Sequence, residues 1–355
     1  GLSMSVLEAG FETADRPCVI LLHGFPELAY SWRKVMPILA QAGYYVIAAD
    51  QRGYGETLGS ETDYDTDVRA FGMLNLVRDV LGLVWALDIG RVAAVVGHDF
   101  GSPVAAYCAL LRPDVFCSVV MMSAPFAGPP SVFRNSSALI HDQLATLDRP
   151  RKHYQWYYST PEANADMLVC PQGVHDFLRA YFHYKSADWP ENRPYPLAAW
   201  SPEELARMPT YYIMELDQNM AETVASYMPD QKQVAQCNWL SEEELQVYSS
   251  TFEKTGFQGG LNWYRCATSE SYQRELTLFA NRCINVPACF IAGRSDWGVY
   301  QKPGDLEKFK SSVCSQAPEI HLVKDAGHWV QQEQPARVGQ LIIEFLEPQR
   351  YSGHG

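Results

Sequence analysis

The residues best suited to chemistry lie in "VVGHDFGSPVAAY", Val95 to Tyr107. The stretch reads as a strand, a turn between Gly97 and Gly101, and the start of a helix. Asp99 stands between the glycines, where proteins with this arrangement usually carry a serine nucleophile. The sharp turn leaves no room for Cβ atoms on either side. It lifts the central residue to the N-terminal end of the next helix, where positive partial charge favours a carboxylate. Without other parts the same pattern would be a capped turn. A serine needs a base to remove its proton before it can attack acyl carbon. A carboxylate with the ordinary pKa of about 3.9 is already ionised at neutral pH. It can displace a leaving group at saturated carbon and become an ester. Hydrolysing that ester needs an activated water and an oxyanion hole.

Asp99 therefore predicts a histidine, an acid to orient it and two backbone N–H donors. "KDAGHWVQQ" places His328 just after the last predicted strand, and "AGRSDWGVY" places Asp296 just after the one before it. Both should emerge at the carboxyl edge of a sheet beside Asp99. The other position for the acid, after the strand ending at Met122, reads "MSAPF" and holds no carboxylate. "HGFPE", His23 to Glu27, follows the first strand, so the backbone N–H groups of Phe25 and Phe100 are assigned to the oxyanion hole. His23 and His98 are read as hydrogen-bonding loop residues rather than bases. Ser102, beyond the elbow, is an ordinary first-turn residue. No HxxxH or CxxC cluster occurs, so neither a metal nor another cofactor is expected.

The elements that must hold these residues alternate. "CVILLHG" (Cys18 to Gly24), "YYVIAAD" (Tyr44 to Asp50), "RVAAVVG" (Arg91 to Gly97), "VFCSVVMM" (Val115 to Met122), "VPACFIAG" (Val286 to Gly293) and "EIHLV" (Glu319 to Val323) read as buried strands. Between them, Val77, Val80, Leu81 and Val84 recur at helical spacing, Val104 to Leu111 reads as helix, and Pro335 opens a last helix with Val338, Leu341, Ile342 and Phe345 on one face. This is an α/β pattern: a mostly parallel sheet flanked by helices. After "SAPFAGPP" the alternation stops. The following region is rich in Tyr, Trp, Met and Pro, and Ser241 with Glu244 forms a capping box that starts a helix. The expected organisation is a core over 1–128, an inserted helical cap over 129–268, and the rest of the core over 269–355.

Composition limits the partners. The 355 residues carry 28 basic and 41 acidic side chains, a net charge of −13, which opposes a nucleic-acid partner. No apolar run reaches the roughly 20 residues of a membrane span, and no signal-peptide pattern opens the chain. The nine cysteines are scattered, several within apolar runs, which suits free thiols in a reducing, cytoplasmic setting. "NSS" at Asn135 matches a glycosylation sequon that has meaning only with secretion. Oligomeric state is not encoded in any motif.

Taken together, "HGFPELAYSW", "DQRGYG", "GHDFG", "LNWYR", "SDWGV" and "DAGHW" make the sequence resemble the soluble epoxide hydrolases of the α/β-hydrolase superfamily, over essentially its whole length. The order Asp99, Asp296, His328 is the nucleophile–acid–base order of that fold. The resemblance implies hydrolysis of an apolar epoxide by water through an aspartyl ester. It further implies two cap tyrosines that hold the epoxide oxygen: Tyr154 in "HYQWYY", close to Tyr157 and Tyr158, and Tyr264 in "LNWYR". A phenol with pKa about 10 can donate a hydrogen bond and then its proton to the opening ring. Pro26, Gln155 and Trp329 are implied as substrate contacts. The family often has Trp after the nucleophile; here it is Phe100, which changes the pocket floor. Two other readings compete. A haloalkane or haloacid dehalogenase would use the same Asp-His-Asp set with halide donors such as Trp156. A non-catalytic binding protein on this fold would usually have lost the nucleophile or the histidine.

Overall fold

The computed structural model describes residues 1–131 and 138–352. The sequon at Asn135 lies outside them. Among the described residues nine strands are present: β1 (Val6–Ala9), β2 (Cys18–Leu22), β3 (Tyr45–Ala49), β4 (Val92–His98), β5 (Val119–Met122), β6 (Arg151–His153), β7 (Ile213–Glu215), β8 (Ala288–Gly293) and β9 (Glu319–Val323). Seven form one sheet in the order β1-β3-β2-β4-β5-β8-β9. β1 runs antiparallel to β3, and every other pairing in that sheet is parallel.

The six strands read from the sequence all form. β2, β4, β5 and β8 are buried almost throughout, as strands covered on both faces must be. Their side chains alternate between two layers. Cys18, Ile20 and Leu22 join Val77, Val80 and Val104 on one side of the sheet. Val19 and Leu21 join Met36, Leu39, Val338, Leu341 and Ile342 on the other. Each fully buried Val, Leu or Ile contributes about 1.5–3 kcal/mol, so the two layers hold the sheet between helices Met73–Ala86 and Gly101–Leu111 on one face and Pro335–Ser352 on the other.

Three features depart from the sequence reading. β1 was not foreseen, because an edge strand with two exposed positions in "VLEA" lacks the apolar run of a central one. "VFCSVVMM" starts pairing as a strand only at Val119; Phe116 makes a single bridge to Val92. Between β5 and β8 the region without strand–helix alternation still contains a small antiparallel pair, β6 with β7, too short to leave a period in the sequence. Among the described residues, that segment also contains the helices Gly173–Lys185, Glu242–Thr255 and Gln258–Thr268. The Ser241–Glu244 capping box forms in both directions.

Register sets the site. Leu22 pairs with Ala49 and Gly97, Met122 with His98 and Ile291, and Gly293 with Val323. The parallel strands therefore end along one edge, and the loops after them share one rim. The chain passes from β2 outward to β3, then back across to β4. The crevice between β2 and β4 is thus the point where strand order reverses, the usual ligand position in such sheets.

Candidate active site

Asp99 follows β4 at that crevice with φ of 51°, a left-handed conformation uncommon for a residue with a side chain. The glycines explain how the turn tolerates it. A Cβ on Gly97 would run into the backbone of Gly101, one on Gly101 into the carbonyls of Leu22 and His23, and one on Gly24 into Asp99 itself. The nucleophile candidate is packed against the β2 loop with nothing between.

The two carboxylate oxygens of Asp99 meet different partners. Oδ1 accepts the Phe25 N–H at 3.1 Å. Oδ2 lies 3.3 Å from His328 Nε2. Burial opposes the charge of Asp99, but His328, Lys185 and His98 together hold its carboxyl well below the usual range. Phe100 opens helix Gly101–Leu111, and its ring packs edge-on against Trp263 and Tyr264.

On its other side, His328 Nδ1 is 3.2 Å from Asp296 Oδ1. That oxygen also accepts the Gly298 N–H at 2.7 Å. Burial raises the Asp296 carboxyl, and His328, Ser123 and the Gly298 N–H outweigh it, so the group is held ionised. Ser123 was not singled out from the sequence. Its hydroxyl lies 2.9 Å from the same Nδ1. Its place at the carboxyl end of β5, on the rim shared with Asp99 and Asp296, was the signal available.

His23 and His98 make loop hydrogen bonds, as expected. His23 bonds the Gly24 carbonyl at 2.8 Å and receives the Gln51 N–H at 3.1 Å. His98 faces two acceptors, Glu27 Oε2 at 2.6 Å and the His328 carbonyl at 2.7 Å. Both ring nitrogens must then donate, which makes His98 the cation of a buried pair with Glu27. Burial works against both charges, and their attraction raises His98 and lowers Glu27. Glu27 also accepts from the Gly24 N–H and the side chains of Gln331 and Gln332.

Above the rim sit the tyrosines. Gly259 and Gly53 meet backbone to backbone, and the Trp263 Nε1–H donates to the Arg52 carbonyl at 3.0 Å. These contacts seat helix Gln258–Thr268 so that the Tyr264 ring stands 5.5 Å from Phe25 and 5.1 Å from Phe100. The Tyr154 ring is 5.9 Å from that of Tyr264. For both phenols burial, then the Asp99 charge, raises the pKa well above the ordinary value, so each keeps its proton at neutral pH. Their neighbours are committed elsewhere: Tyr157 donates to Asp166 at 2.8 Å and Tyr158 to Tyr181 at 3.2 Å. The Tyr154 hydroxyl receives Gln155 Nε2 at 3.2 Å and donates to Gln301 Oε1 at 3.3 Å; Gln301 was missed in the sequence.

Two of the implied substrate contacts are buried, as Tyr154 and Tyr264 are. Pro26 is buried in the β2 loop. Trp329 is fully enclosed, its ring 4.5 Å from His328 and its indole N–H donated to the Phe182 carbonyl at 2.9 Å. Trp156 packs on His141 and His153, with no ring contact to Phe25, Phe100 or Tyr264 among the described residues. The grouping with metal-ligand spacing among the described residues is Cys289, Glu319 and His321, on β8 and β9. Burial raises the Cys289 thiol well above its usual pKa.

Comparison with known proteins bears directly on this arrangement. A family model described as "alpha/beta hydrolase fold" matches residues 17–335. Epoxide hydrolase A of Mycobacterium tuberculosis is 33% identical over 353 residues, spanning 98% of this chain and 94% of that protein. The chain belongs to the epoxide hydrolases of the α/β-hydrolase fold. Epoxide hydrolase 3 of Siraitia grosvenorii is 30% identical over 98% of this chain and 95% of its own. Solved structures agree. An epoxide hydrolase from an endophytic Streptomyces superimposes with a TM-score of 0.77 at 30% identity, covering 98% of this chain and 93% of that one. Potato (Solanum tuberosum) epoxide hydrolase I gives 0.76 at 29% identity, covering 98% and 97%. As a member of the epoxide hydrolases the protein is an enzyme, and a hydrolase. The dehalogenase and binding-protein readings have no support in these relatives.

Proposed function

We propose that this chain converts apolar epoxides to vicinal diols in two stages at Asp99, beneath a cap formed by residues 129–268. The observation that carries the reading is the setting of Asp99: a carboxylate held below its usual pKa range, with one oxygen on the Phe25 N–H and the other toward His328, and near enough to the Tyr154 and Tyr264 phenols for its charge to raise their pKa.

In the first stage Oδ2 of Asp99 attacks a ring carbon. The C–O bond of the epoxide breaks, its electron pair goes to the ring oxygen, and that oxygen takes a proton from the Tyr154–Tyr264 pair. The product is an ester on Asp99. In the second stage water adds to the ester carbonyl and gives its proton to His328 Nε2, with Asp296 orienting the ring. Oδ1 becomes the tetrahedral oxyanion, held by the N–H groups of Phe25 and Phe100; removing one such donor costs about 10²–10³ in rate. Collapse releases the diol, restores the carboxylate and returns the protons. Gln155, which donates to the Tyr154 hydroxyl, contacts the substrate together with Pro26 and Trp329.

No helix among the described residues is long and apolar enough to cross a membrane. All nine cysteines are unpaired, which supports a reducing compartment such as the cytoplasm.

A single turnover in ¹⁸O water tests the chemistry. The label is expected in the peptide carrying Asp99, and His328→Gln is expected to trap an ester seen as a substrate-sized mass increment. Label confined to the diol, with no adduct in the variant, overturns the scheme.

A further inference from the structure

His328 is fixed through its backbone as firmly as through its ring. Its N–H donates to the Lys185 carbonyl at 2.9 Å. Its own carbonyl accepts from His98 at 2.7 Å. The residues on either side are held by one carboxylate: the Gly327 N–H donates to Glu333 Oε2 at 2.9 Å and the Trp329 N–H to Glu333 Oε1 at 3.0 Å. Oε2 also receives the Ala187 N–H at 2.8 Å.

Lys185 and Ala187 lie at and just beyond the end of helix Gly173–Lys185, in the segment between β5 and β8. Gly327 touches this segment without slack, since a Cβ there would meet the backbone of Lys185, Ser186 and Ala187. The loop carrying His328 is thus pressed against the segment above it and stapled to it from below by Glu333. Burial pushes the Glu333 carboxyl up to about 8 against the pull of these N–H groups, and three N–H donors share its two oxygens, an arrangement a carboxyl group can satisfy in either protonation state and an amide cannot, because the amide offers one acceptor oxygen and turns an NH₂ toward an N–H. Glu333 itself is buried and sits on the short helix Val330–Glu333 whose Gln331 and Gln332 bond Glu27.

We propose that Glu333 is a positioning residue for ester hydrolysis: it sets where His328 Nε2 stands relative to Asp99 and makes that position depend on the docking of residues 185–187. It acts through His328, so it serves the second stage and leaves the first, carried by Asp99 and the tyrosines, essentially untouched. The inference rests on the two-stage reading above.

Single-turnover kinetics of wild type, Glu333→Gln and Glu333→Asp, with the ester followed by mass, separate the outcomes. In Glu333→Gln, ester hydrolysis should slow by about tenfold to a hundredfold, the scale of a misplaced catalytic group. Ester formation should stay within about twofold, so the ester accumulates. Glu333→Asp, which keeps the carboxyl group but draws it back, should fall between; it carries the comparison if the glutamine variant does not fold. A merely structural role would instead lower both rates together with the thermal midpoint. That result, or unchanged hydrolysis, overturns the proposal. A wild type that forms no ester from an epoxide overturns the two-stage reading itself.

Discussion

The hydroxyl of Ser123 lies 2.9 Å from Nδ1 of His328, the nitrogen that Asp296 approaches at 3.2 Å. One carboxylate and one hydroxyl, from the ends of β8 and β5, share the orientation of a single imidazole. Ser123→Ala removes one of these partners without opening a large cavity. A lost hydrogen bond of about 1 kcal/mol should slow ester hydrolysis about fivefold and leave ester formation alone, as single-turnover rates would register. Asp296→Ala should cost far more, because it leaves the imidazolium of the second stage without its buried counter-charge.

The tyrosine pair predicts the opposite asymmetry. Replacing Tyr154 and Tyr264 by Phe should slow ester formation by about 10²–10⁴, the range for general acid catalysis, with a much smaller effect on hydrolysis of a preformed ester. Equal slowing of both stages would remove the phenols from ring opening. Gln301 refines this. It accepts the Tyr154 proton at 3.3 Å, and a substrate oxygen must compete for it. Gln301→Leu should therefore lower KM while changing kcat little, measured by diol release across epoxide concentrations.

Gly24 provides a stability test. Its missing Cβ is the space occupied by the Asp99 side chain, and a methyl there would collide with the Asp99 Cβ and Oδ1. Gly24→Ala should lower stability by about 1–3 kcal/mol as an overpacking change and abolish ester formation, read by urea unfolding and intact mass. A fully active, equally stable variant would show that the elbow and the β2 loop can separate.

An ion-pair cluster joins the β2–β3 connection to helix Glu242–Thr255 and predicts a pH dependence. Glu244 accepts from Arg33 at 2.9 Å and lies 3.0 Å from Lys34 while closing the capping box with Ser241. Burial raises its carboxyl, but Arg33, the Ser241 N–H and Lys34 bring it down to about 2 from 4.5. The folded form therefore favours the charged state. Its contribution is fully present above about pH 4.5 and is lost as the pH falls toward 2. Thermal unfolding followed over that interval should show a steeper decline in wild type than in Glu244→Gln. The variant should be less stable at neutral pH by about 1–2 kcal/mol, the range for a cap and a partly exposed pair.

Much of the site was legible because its chemistry demanded particular residue types at strand ends. A carboxylate between two glycines after a strand leaves few roles open, and the requirement for a base and an acid on the same edge picks out His328 and Asp296. The edge strand β1 and the pair β6–β7 were not legible, since short or half-exposed strands carry no apolar run. Ser123, Gln301 and Glu333 escaped for a different reason. Each has a hydrogen-bond partner far away in the chain, His328 for Ser123, Tyr154 for Gln301 and Ala187 for Glu333, and Ser, Gln and Glu are ordinary surface residues until something faces them.

The sequence by itself determined the alternation of strands and helices, the elbow and the order of its catalytic candidates, because each depends on local backbone geometry or on side-chain chemistry that neighbours in the chain already express. Only the tertiary structure decided which oxygen of Asp99 meets Phe25 and which meets His328, that Tyr157 and Tyr158 are turned to other partners, and that one glutamate fastens the base loop to residues 185–187. Those relationships arise from register and from the way segments fold against one another, Ala187 and Glu333 being 146 residues apart in the chain, and distance in space is not written in spacing along the chain.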